Sequence, residues 1–308
     1  MPKQLLILVA IVFLHFQGKS QDADSLIKEL IPEKVKASGS TFKSTHVVLL
    51  HSSETEKKHD LDFMIKHHFG DIGGDFGGVH TLYGLDAATD LFIGFDYGFT
   101  NRLTAGIGRS KQDELYNLYL KYKLIEQAEG KMPVTLTLLG QGGWITRKAF
   151  SNAEFSNSSD RISYFLQGII ARRFSSRVSF EVLPSYLIRT QAPDALDKNN
   201  LFSLGFAGRF KMAKRVALVA DYQLVNAFGR SNNLSDTYYN PLGLGLEIET
   251  GGHVFSLNFM NSEGIIENNF IPNTKKSWRH GGVRFAFTIS RNFTLFKSKN
   301  PDIETKIY

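Results

Sequence analysis

Short segments in which apolar and polar side chains alternate at every position recur along this chain, and this pattern restricts its fold more than any other feature. In Tyr116–Leu124, tyrosine and leucine occupy one set of alternate positions, while Asn117, Lys121 and Lys123 belong to the other set. Successive side chains of a β-strand point to opposite faces of the sheet, whereas a helix would mix the two sets. The segment is therefore predicted to be a strand with one apolar and one polar face.

The pattern repeats often enough to predict an all-β chain, and its connections alternate in length. Tight turns such as Ser175-Ser176 and Gly251-Gly252 alternate with longer stretches such as Arg147–Asp160 and Asn261–Gly281. A soluble β-sandwich also has alternating strands, but it rarely keeps this rhythm over so many hairpins; the rhythm is typical of bacterial outer-membrane barrels, whose short turns are periplasmic. We predict an antiparallel up-and-down transmembrane β-barrel of about 12 strands. The candidate strands are Leu61–Phe69, Leu91–Phe99, Leu103–Arg109, Tyr116–Leu124, Val134–Trp144, Ile162–Arg173, Val178–Arg189, Phe202–Phe210, Val216–Leu224, Leu242–Glu249, Phe255–Phe259 and Val283–Ser290.

The first residues have the layout of a secretory signal peptide. Lys3 precedes an apolar run over Leu5–Phe16, and small residues surround a cleavage point before Gln21. The run is too short to span a bilayer as a helix, although an uncleaved N-terminal anchor is the alternative. We expect cleavage of the signal and localisation in the outer membrane of a Gram-negative cell. The predicted organisation is a signal peptide (residues 1–20), a periplasmic N-terminal segment (21–57), the barrel (58–296) and a periplasmic C-terminal tail (297–308).

The segment Thr41–Ser52 has an alternative interpretation, because Val47–Leu50 could form a further strand. A thirteenth membrane strand would place the N-terminus outside the cell. The segment is therefore interpreted as periplasmic or luminal, packed on the barrel. At the other end, the aromatic alternation from Val283 to Phe293 must pair with the first strand, since an open edge in lipid leaves backbone groups unsatisfied. Phe63 opposite Phe287 is an example of the expected pairing.

Composition excludes several classes of protein. The chain has 36 Lys and Arg against 30 Asp and Glu, a formal charge of +6, and no block of like charges, so nucleic acid is not an expected partner. Cys is 0, which excludes a disulfide framework and a thiolate metal site. Apart from the signal, no apolar stretch approaches the length of a transmembrane helix. The expected partners are the lipid bilayer and the outer-membrane insertion machinery.

The sequence resembles a Bacteroidetes family of outer-membrane β-barrel proteins that is named only as a domain of unknown function. The resemblance covers nearly all of the predicted mature chain and includes HSSETEKKHDLDFMIKHHFG at His51–Gly70. Its most specific part is the glycine-rich turn Glu249–His253, followed by a strand that ends in Asn261-Ser262. The resemblance implies an outer-membrane barrel, and it implies no substrate, catalytic residue or cofactor.

Polar side chains opposite the apolar faces are expected to line the lumen. Charged groups are costly in lipid and are acceptable in water or in pairs. Positive and negative groups are nearly balanced, which argues against a strongly ion-selective pore. They form either a closed network in a narrow barrel or the wall of a small polar channel. The predicted luminal residues are Asp62, Lys66, His68, Asp96, Lys121, Lys123, Glu181, Arg189, Arg209, Asp221, Glu247, Glu249 and Arg284.

Histidines and serines are residues of this sequence that could be catalytic or metal-binding. His46, His51 and His59 fall close together in sequence, but their spacing matches no ligand motif, and His67 and His68 point to opposite faces of one strand. Several serines lie on polar faces without a visible serine–histidine pairing. We therefore predict no catalytic residue, no metal and no cofactor.

Three functions are consistent with this sequence. The leading hypothesis is a narrow, porin-like channel or uptake protein for a small polar solute. The second is a barrel with a sealed interior, which serves as a structural anchor or assembly platform through its loops. The third is an outer-membrane hydrolase.

Overall fold

The computed structural model describes residues 39–151, 154–192, 196–230 and 236–296. The predicted signal peptide, the predicted C-terminal tail and residues 21–38 of the predicted N-terminal segment lie outside the described residues. No helix within the described ranges is long and apolar enough to cross a membrane.

Twelve antiparallel strands close into a barrel, which confirms the predicted fold. Each strand pairs with its neighbours in sequence, and β1 pairs with β12 to complete the ring. The strands are β1 (Asp60–Asp71), β2 (Ala88–Gly98), β3 (Leu103–Ser110), β4 (Leu115–Ile125), β5 (Thr135–Ile145), β6 (Ile162–Arg173), β7 (Val178–Arg189), β8 (Asn200–Ala213), β9 (Val216–Leu224), β10 (Leu242–Thr250), β11 (His253–Met260) and β12 (Arg284–Thr294).

The first and last strands pair as the sequence predicts, but in a different register. Phe63 lies opposite Arg291, and Phe287 lies opposite His67, so the example of Phe63 opposite Phe287 was wrong by four positions. Cross-strand register follows from the two-residue side-chain period and from the connections, and apolar alternation alone is satisfied by any even shift. Phe287 therefore meets His67 directly across the pair, and their rings stack at 5.5 Å between centroids.

The two ends of the barrel differ in their connections. At one end, the short-turn end, strands are joined by residues 99–102, 126–134, 174–177, 214–215 and 251–252. At the long-loop end they are joined by residues 72–87, 111–114, 146–161, 190–199, 225–241 and 261–283. The described parts of the loops contain 3-10 turns at Gly74–Phe76, Val79–Gly84, Gln112–Glu114, Ser158–Arg161, Asn226–Phe228 and Trp278–His280, and one α-helix, α1 (Glu267–Asn273). The chain enters β1 and leaves β12 at the short-turn end.

The alternation of side chains separates an apolar exterior from a polar interior. On β4, Leu118 and Leu120 face outward and are about half exposed, whereas Asn117 and Lys121 face inward and are buried. Lys121, Phe165 and Leu183, which face inward from three different strands, have no solvent-exposed surface. Their complete burial means that the lumen around them is filled.

Candidate functional site

An N-terminal segment fills part of the lumen. Residues 41–53, here called the luminal hairpin, turn back on themselves: the N–H of Val47 donates to the carbonyl of Leu50 over 2.8 Å, and the N–H of Ser52 donates to that of Thr45 over 2.9 Å. His46 and His51 form an antiparallel bridge between the two arms. Thr41–Ser52 was expected to be either periplasmic or luminal, and the structure places it inside the barrel. The described part of the predicted N-terminal segment starts at residue 39, just before the hairpin.

The apex of the hairpin is bound to the wall by one carboxylate. Asp221 Oδ2 on β9 accepts hydrogen bonds from the backbone N–H groups of Val48, Leu49 and Leu50 over 3.0, 2.6 and 2.9 Å. Three successive amides that converge on one carboxylate oxygen form an anion-binding concavity. Sequence reasoning expected Asp221 to line the lumen, but it did not identify this partner.

Apolar contacts and close backbone approach also hold the apex. Val47–Leu50 belong to a buried cluster with wall residues that include Leu183 and Val219. The inner wall has room for them because it carries glycine at the point of contact: a Cβ at Gly243 would lie 3.0 Å from Val48 Cβ, and one at Gly205 would lie 3.0 Å from Leu50 Cδ1. These distances are shorter than ordinary contacts, so the glycines shape the seat of the apex.

Lys121 binds the middle of the hairpin. Its ammonium group donates to the backbone carbonyls of Thr45, Ser52 and Glu54 over 2.9, 3.1 and 3.2 Å. These three bonds use all of its donors. On β7, three strands further along the wall, Glu181 Oε2 accepts from the N–H of Ser53 over 3.1 Å. The main chain of the inserted segment thus satisfies the buried lysine and supplies one hydrogen bond to the buried glutamate.

Ion pairs hold the base of the hairpin near the short-turn end. Lys123 Nζ lies 3.3 Å from Glu54 Oε2, and Lys43 Nζ lies 3.2 Å from Glu249 Oε2. Glu249 also belongs to a wall network, because Arg209 donates to both Glu247 and Glu249 over 2.7 and 3.0 Å. Among the predicted luminal charges, Arg209, Glu247 and Glu249 form ion pairs with each other.

A second insert enters from the long-loop end. The helix α1 lies in the connection between β11 and β12, and its residues from Glu267 to Pro272 are buried. Gln141 on β5 donates to Asn268 Oδ1 over 2.7 Å, and Asn268 donates to Ser163 Oγ on β6 over 2.6 Å. Nearby, Asp90 on β2 accepts from the N–H of Ile265 over 3.0 Å. The helix is therefore anchored to several strands of the inner wall.

The two inserts meet inside the barrel. His51 Nε2 of the hairpin lies 3.7 Å from Glu267 Oε1 of α1, and both side chains are almost completely buried. Phe270 and Ile271 of α1 belong to the same apolar cluster as the hairpin apex, Val47–Leu50. The hairpin and the helix thus form one continuous filling of the lumen.

Loop residues, together with Asp71 at the end of β1, supply the partners of the predicted charges near the long-loop end. Arg189 pairs with Asp197 over 3.0 Å, and Asp197 also pairs with Arg230 over 2.8 Å. Arg284 pairs with Asp71 over 2.6 Å and with Glu263 over 2.8 Å. His68 Nδ1 is hydrogen-bonded to the carbonyl of Glu263 over 3.1 Å.

All the predicted luminal residues lie on the inner face of the wall. The sequence did not indicate which groups they bind. Asp96 accepts from Thr45 Oγ1 of the hairpin over 3.2 Å, while Lys66 lies over the ring of Phe92 at 5.6 Å. The one signal for the missing partners was the apolar run Val47–Leu50 in a polar segment. The structure buries Asp62, Lys66, His68, Asp96, Lys121, Lys123, Glu181, Arg189, Asp221, Glu247 and Arg284, and partly buries Arg209 and Glu249.

The histidines and serines have structural partners. The rings of His46 and His51 lie 4.1 Å apart, and His51 packs edge-on against Tyr119. Within the described part of the chain, no group of three or more His, Asp or Glu side chains is arranged to hold a metal ion. The hydroxyl groups of Ser163 and Ser203 accept hydrogen bonds from amide side chains.

One family of known proteins matches most of the chain, and its description agrees with the architecture. A family described as a membrane bound beta barrel domain (DUF5777) matches residues 42–293. Among solved structures, the NanC porin is 10% identical, with 76% of this chain and 100% of that chain covered and a TM-score of 0.45. An outer-membrane channel from Pseudomonas putida F1 is 10% identical, with 78% and 98% covered and a TM-score of 0.45. The outer-membrane protein Omp33 of Acinetobacter baumannii is 7% identical, with 77% and 99% covered and a TM-score of 0.40. None of the curated proteins matches the chain significantly.

Proposed function

The chain belongs to this family of membrane-bound β-barrel domains, and we propose that it is a gated outer-membrane conduit for a small polar solute, closed in the observed state by the luminal hairpin and α1. In this proposal the signal peptide is cleaved, the short-turn end faces the periplasm, and the long loops face the outside of the cell. The hairpin closes the conduit from the periplasmic side, and α1 closes it from the outside.

The observation that supports the proposal is that the lumen is closed by two inserted segments, the luminal hairpin and α1, rather than by wall side chains alone. A twelve-stranded barrel lies between small barrels, which side chains fill, and wide porins. Here wall side chains alone do not fill the interior, because two segments attached at opposite ends occupy it. The wall behind them carries polar as well as apolar side chains, and several of its polar groups bind the main chain of the hairpin through bonds that water can replace. Withdrawal of these segments would leave a passage with polar groups on its wall.

A specific observation favours a second candidate, the sealed barrel that serves as an anchor. The hairpin apex is buried in an apolar cluster with Leu183, Val219 and the helix residues Phe270 and Ile271. Apolar burial of this extent opposes withdrawal, because each fully buried aliphatic side chain contributes about 1.5–3 kcal/mol. An anchor that acts through its loops needs them in a fixed conformation. The packing of α1 against the hairpin apex would fix the loop that carries this helix.

Conductance across a planar bilayer separates the two candidates. The Val48→Cys/Gly243→Cys pair can lock the hairpin to β10 after a small outward shift of the apex, since the Cβ separation of 3.0 Å is about 0.5 Å below the lower end of the disulfide range. We expect the wild-type barrel to switch between closed and conducting states, the oxidised pair to stay closed, and reduction to restore switching. The single Val48→Cys and Gly243→Cys proteins, measured with and without oxidant, are the controls.

Replacement of residues 41–53 by a glycine-serine linker is the complementary variant, and heat-modifiable mobility on gels shows whether its barrel is folded. Steady conductance by this variant together with a silent wild-type protein would overturn the gated conduit in favour of the sealed anchor. If the linker variant does not fold, the oxidation and reduction of the cysteine pair decide the question alone: conductance that is unaffected by the lock would also overturn the proposal.

A further inference from the structure

The two inserts share an interface within the lumen, although they come from opposite ends of the barrel. His51 of the hairpin is 1% exposed and is enclosed by His46, Tyr119 and Glu267. Glu267 is 3% exposed, and its other oxygen accepts from Gln141 over 3.2 Å. Each insert therefore buries a polar side chain, His51 or Glu267, that lies against a polar side chain of the other insert.

The apolar part of this interface is mutual as well. Phe270 and Ile271 of α1 are each 1% exposed, and they belong to the cluster that contains Leu49 and Leu50. Loss of the hairpin would open a cavity beside these helix residues, and loss of the helix would open one beside the apex. Large cavities in a packed interior are costly, so the state in which one insert leaves and the other stays is disfavoured.

Each insert is tied to its own end of the barrel. The carbonyl of Pro272 at the end of α1 accepts from Arg230 over 2.8 Å, and Trp278 beyond the helix donates to the carbonyl of Leu242 over 3.1 Å. The base of the hairpin is held at the short-turn end by Lys43 and Lys123. A displacement of the loop that carries α1 is thus mechanically connected to the base of the hairpin through the interface.

We infer that the luminal hairpin and α1 form one coupled closing unit, so that loosening either insert loosens the other across the barrel. The role of this unit as a gate rests on the proposed conduit, but the coupling is a property of the two segments and is measured separately. The coupling free energy between two sites is the same from either side, so a change at α1 must affect the hairpin and a change at the hairpin must affect α1.

Thiol labelling in liposomes tests the coupling, because the chain has no native cysteine. One reporter protein carries Leu49→Cys in the hairpin, and the other carries Ile271→Cys in α1; both are labelled with a small uncharged thiol reagent. Phe270→Ala perturbs the helix and Asp221→Asn perturbs the hairpin. We expect Phe270→Ala to raise the labelling rate of the Leu49→Cys protein, and Asp221→Asn to raise that of the Ile271→Cys protein, each at least tenfold.

Phe259→Ala, which removes an aromatic ring from the outer face of β11, is the control and should change neither rate. Heat-modifiable mobility verifies that every variant is folded, and Glu267→Gln gives a milder helix perturbation if Phe270→Ala is not folded. A helix perturbation that raises labelling of the Ile271→Cys protein but leaves that of the Leu49→Cys protein unchanged would overturn the inference. If the labelling rates change reciprocally but no conductance is measured, the proposed conduit is wrong and the coupling is supported. If conductance is measured but the labelling rates do not change reciprocally, the coupling is wrong and the conduit is supported.

Discussion

Asp221 Oδ2 accepts a hydrogen bond from the backbone N–H of Leu49 over 2.6 Å, and this contact joins the deepest point of the hairpin to the wall of the barrel. The same oxygen serves the two neighbouring amides as well. A hydrogen bond to a charged group contributes about 1.5–3 kcal/mol, more than one between neutral groups. Asp221 is therefore one of two charged wall residues, with Lys121, that hold the inserted segment through three main-chain hydrogen bonds each.

We expect Asp221→Asn to loosen the hairpin while the barrel stays closed on itself. The amide is nearly the same size as the carboxylate, but it is neutral, so the three amides lose charge-assisted bonds. Protection of Val48–Leu50 against hydrogen exchange should fall by at least tenfold, and conductance should appear more often in bilayers.

Glu247→Gln is the matched control for this change. Glu247 is also a buried inward carboxylate of the wall, but its partner is Arg209 rather than the hairpin. Exchange of Val48–Leu50 should therefore stay close to that of the wild-type protein. Equal loss of protection in both variants would mean that any luminal charge, and not this contact, determines the position of the hairpin.

The outer face of β8 gives a prediction about depth in the membrane. Phe206 lies midway along the strand, whereas Met212 is an exposed residue at the register shift near its short-turn end. Arginine facing lipid costs about 2–4 kcal/mol at the bilayer midplane and about 0–1 kcal/mol near the interfaces. In urea unfolding from liposomes, Phe206→Arg should lower the free energy of unfolding by the larger amount and Met212→Arg by the smaller. A reversed order would contradict the assignment of the membrane-spanning band.

The strands were predictable because their information is local. Alternation at Tyr116–Leu124 identifies β4 and its two faces without reference to any other part of the chain, and Lys121 falls on the inner face for the same reason. A bilayer around the barrel strengthens this signal, since a charged side chain on the outer face would be costly.

The contents of the lumen were not predictable in the same way, because they depend on contacts between residues far apart in sequence. Lys121 binds carbonyl groups of Thr45 and Ser52, and every residue has a carbonyl group, so no side-chain pattern marks these partners. The helix α1 is short and contains Pro272, and its burial comes from its position in the barrel rather than from a helical pattern. The register of β1 and β12 was missed because apolar alternation does not distinguish shifts by an even number of residues.

One loop at the long-loop end provides a prediction about pH. The Arg147 guanidinium, hydrogen-bonded to Glu154, holds the pKa of that carboxyl below its ordinary value. Arg147 also donates to Asp113 over 2.7 Å, which joins this loop to the connection between β3 and β4. Because the pKa of Glu154 is lowered in the folded loop, the ion pair contributes stability above the ordinary pKa of 4.5, and this contribution is lost as the pH falls through the lowered folded value.

A nitroxide attached through Ser151→Cys should report this change by electron paramagnetic resonance. The label should be restrained at pH 7 and should become more mobile only below about pH 4.5, the unfolded value of the carboxyl. In Arg147→Gln the label should be mobile at both pH values. A transition of the wild-type label well above pH 4.5 would show that another group controls the loop.

Closure of the barrel between β1 and β12 can be tested by a disulfide in a chain that has no other cysteine. Ile65 lies directly opposite Ile289 on the paired strands. Ile65→Cys/Ile289→Cys should therefore cross-link in the folded protein and change its mobility on a non-reducing gel. Phe63→Cys/Phe287→Cys is displaced by four positions from the observed register, about 13 Å along the strand, which is beyond the reach of a disulfide. This control should stay reduced. Cross-linking of the control with none in the first pair would establish the other register, in which Phe63 faces Phe287, and would shift every luminal residue of β1 along the barrel axis relative to β12.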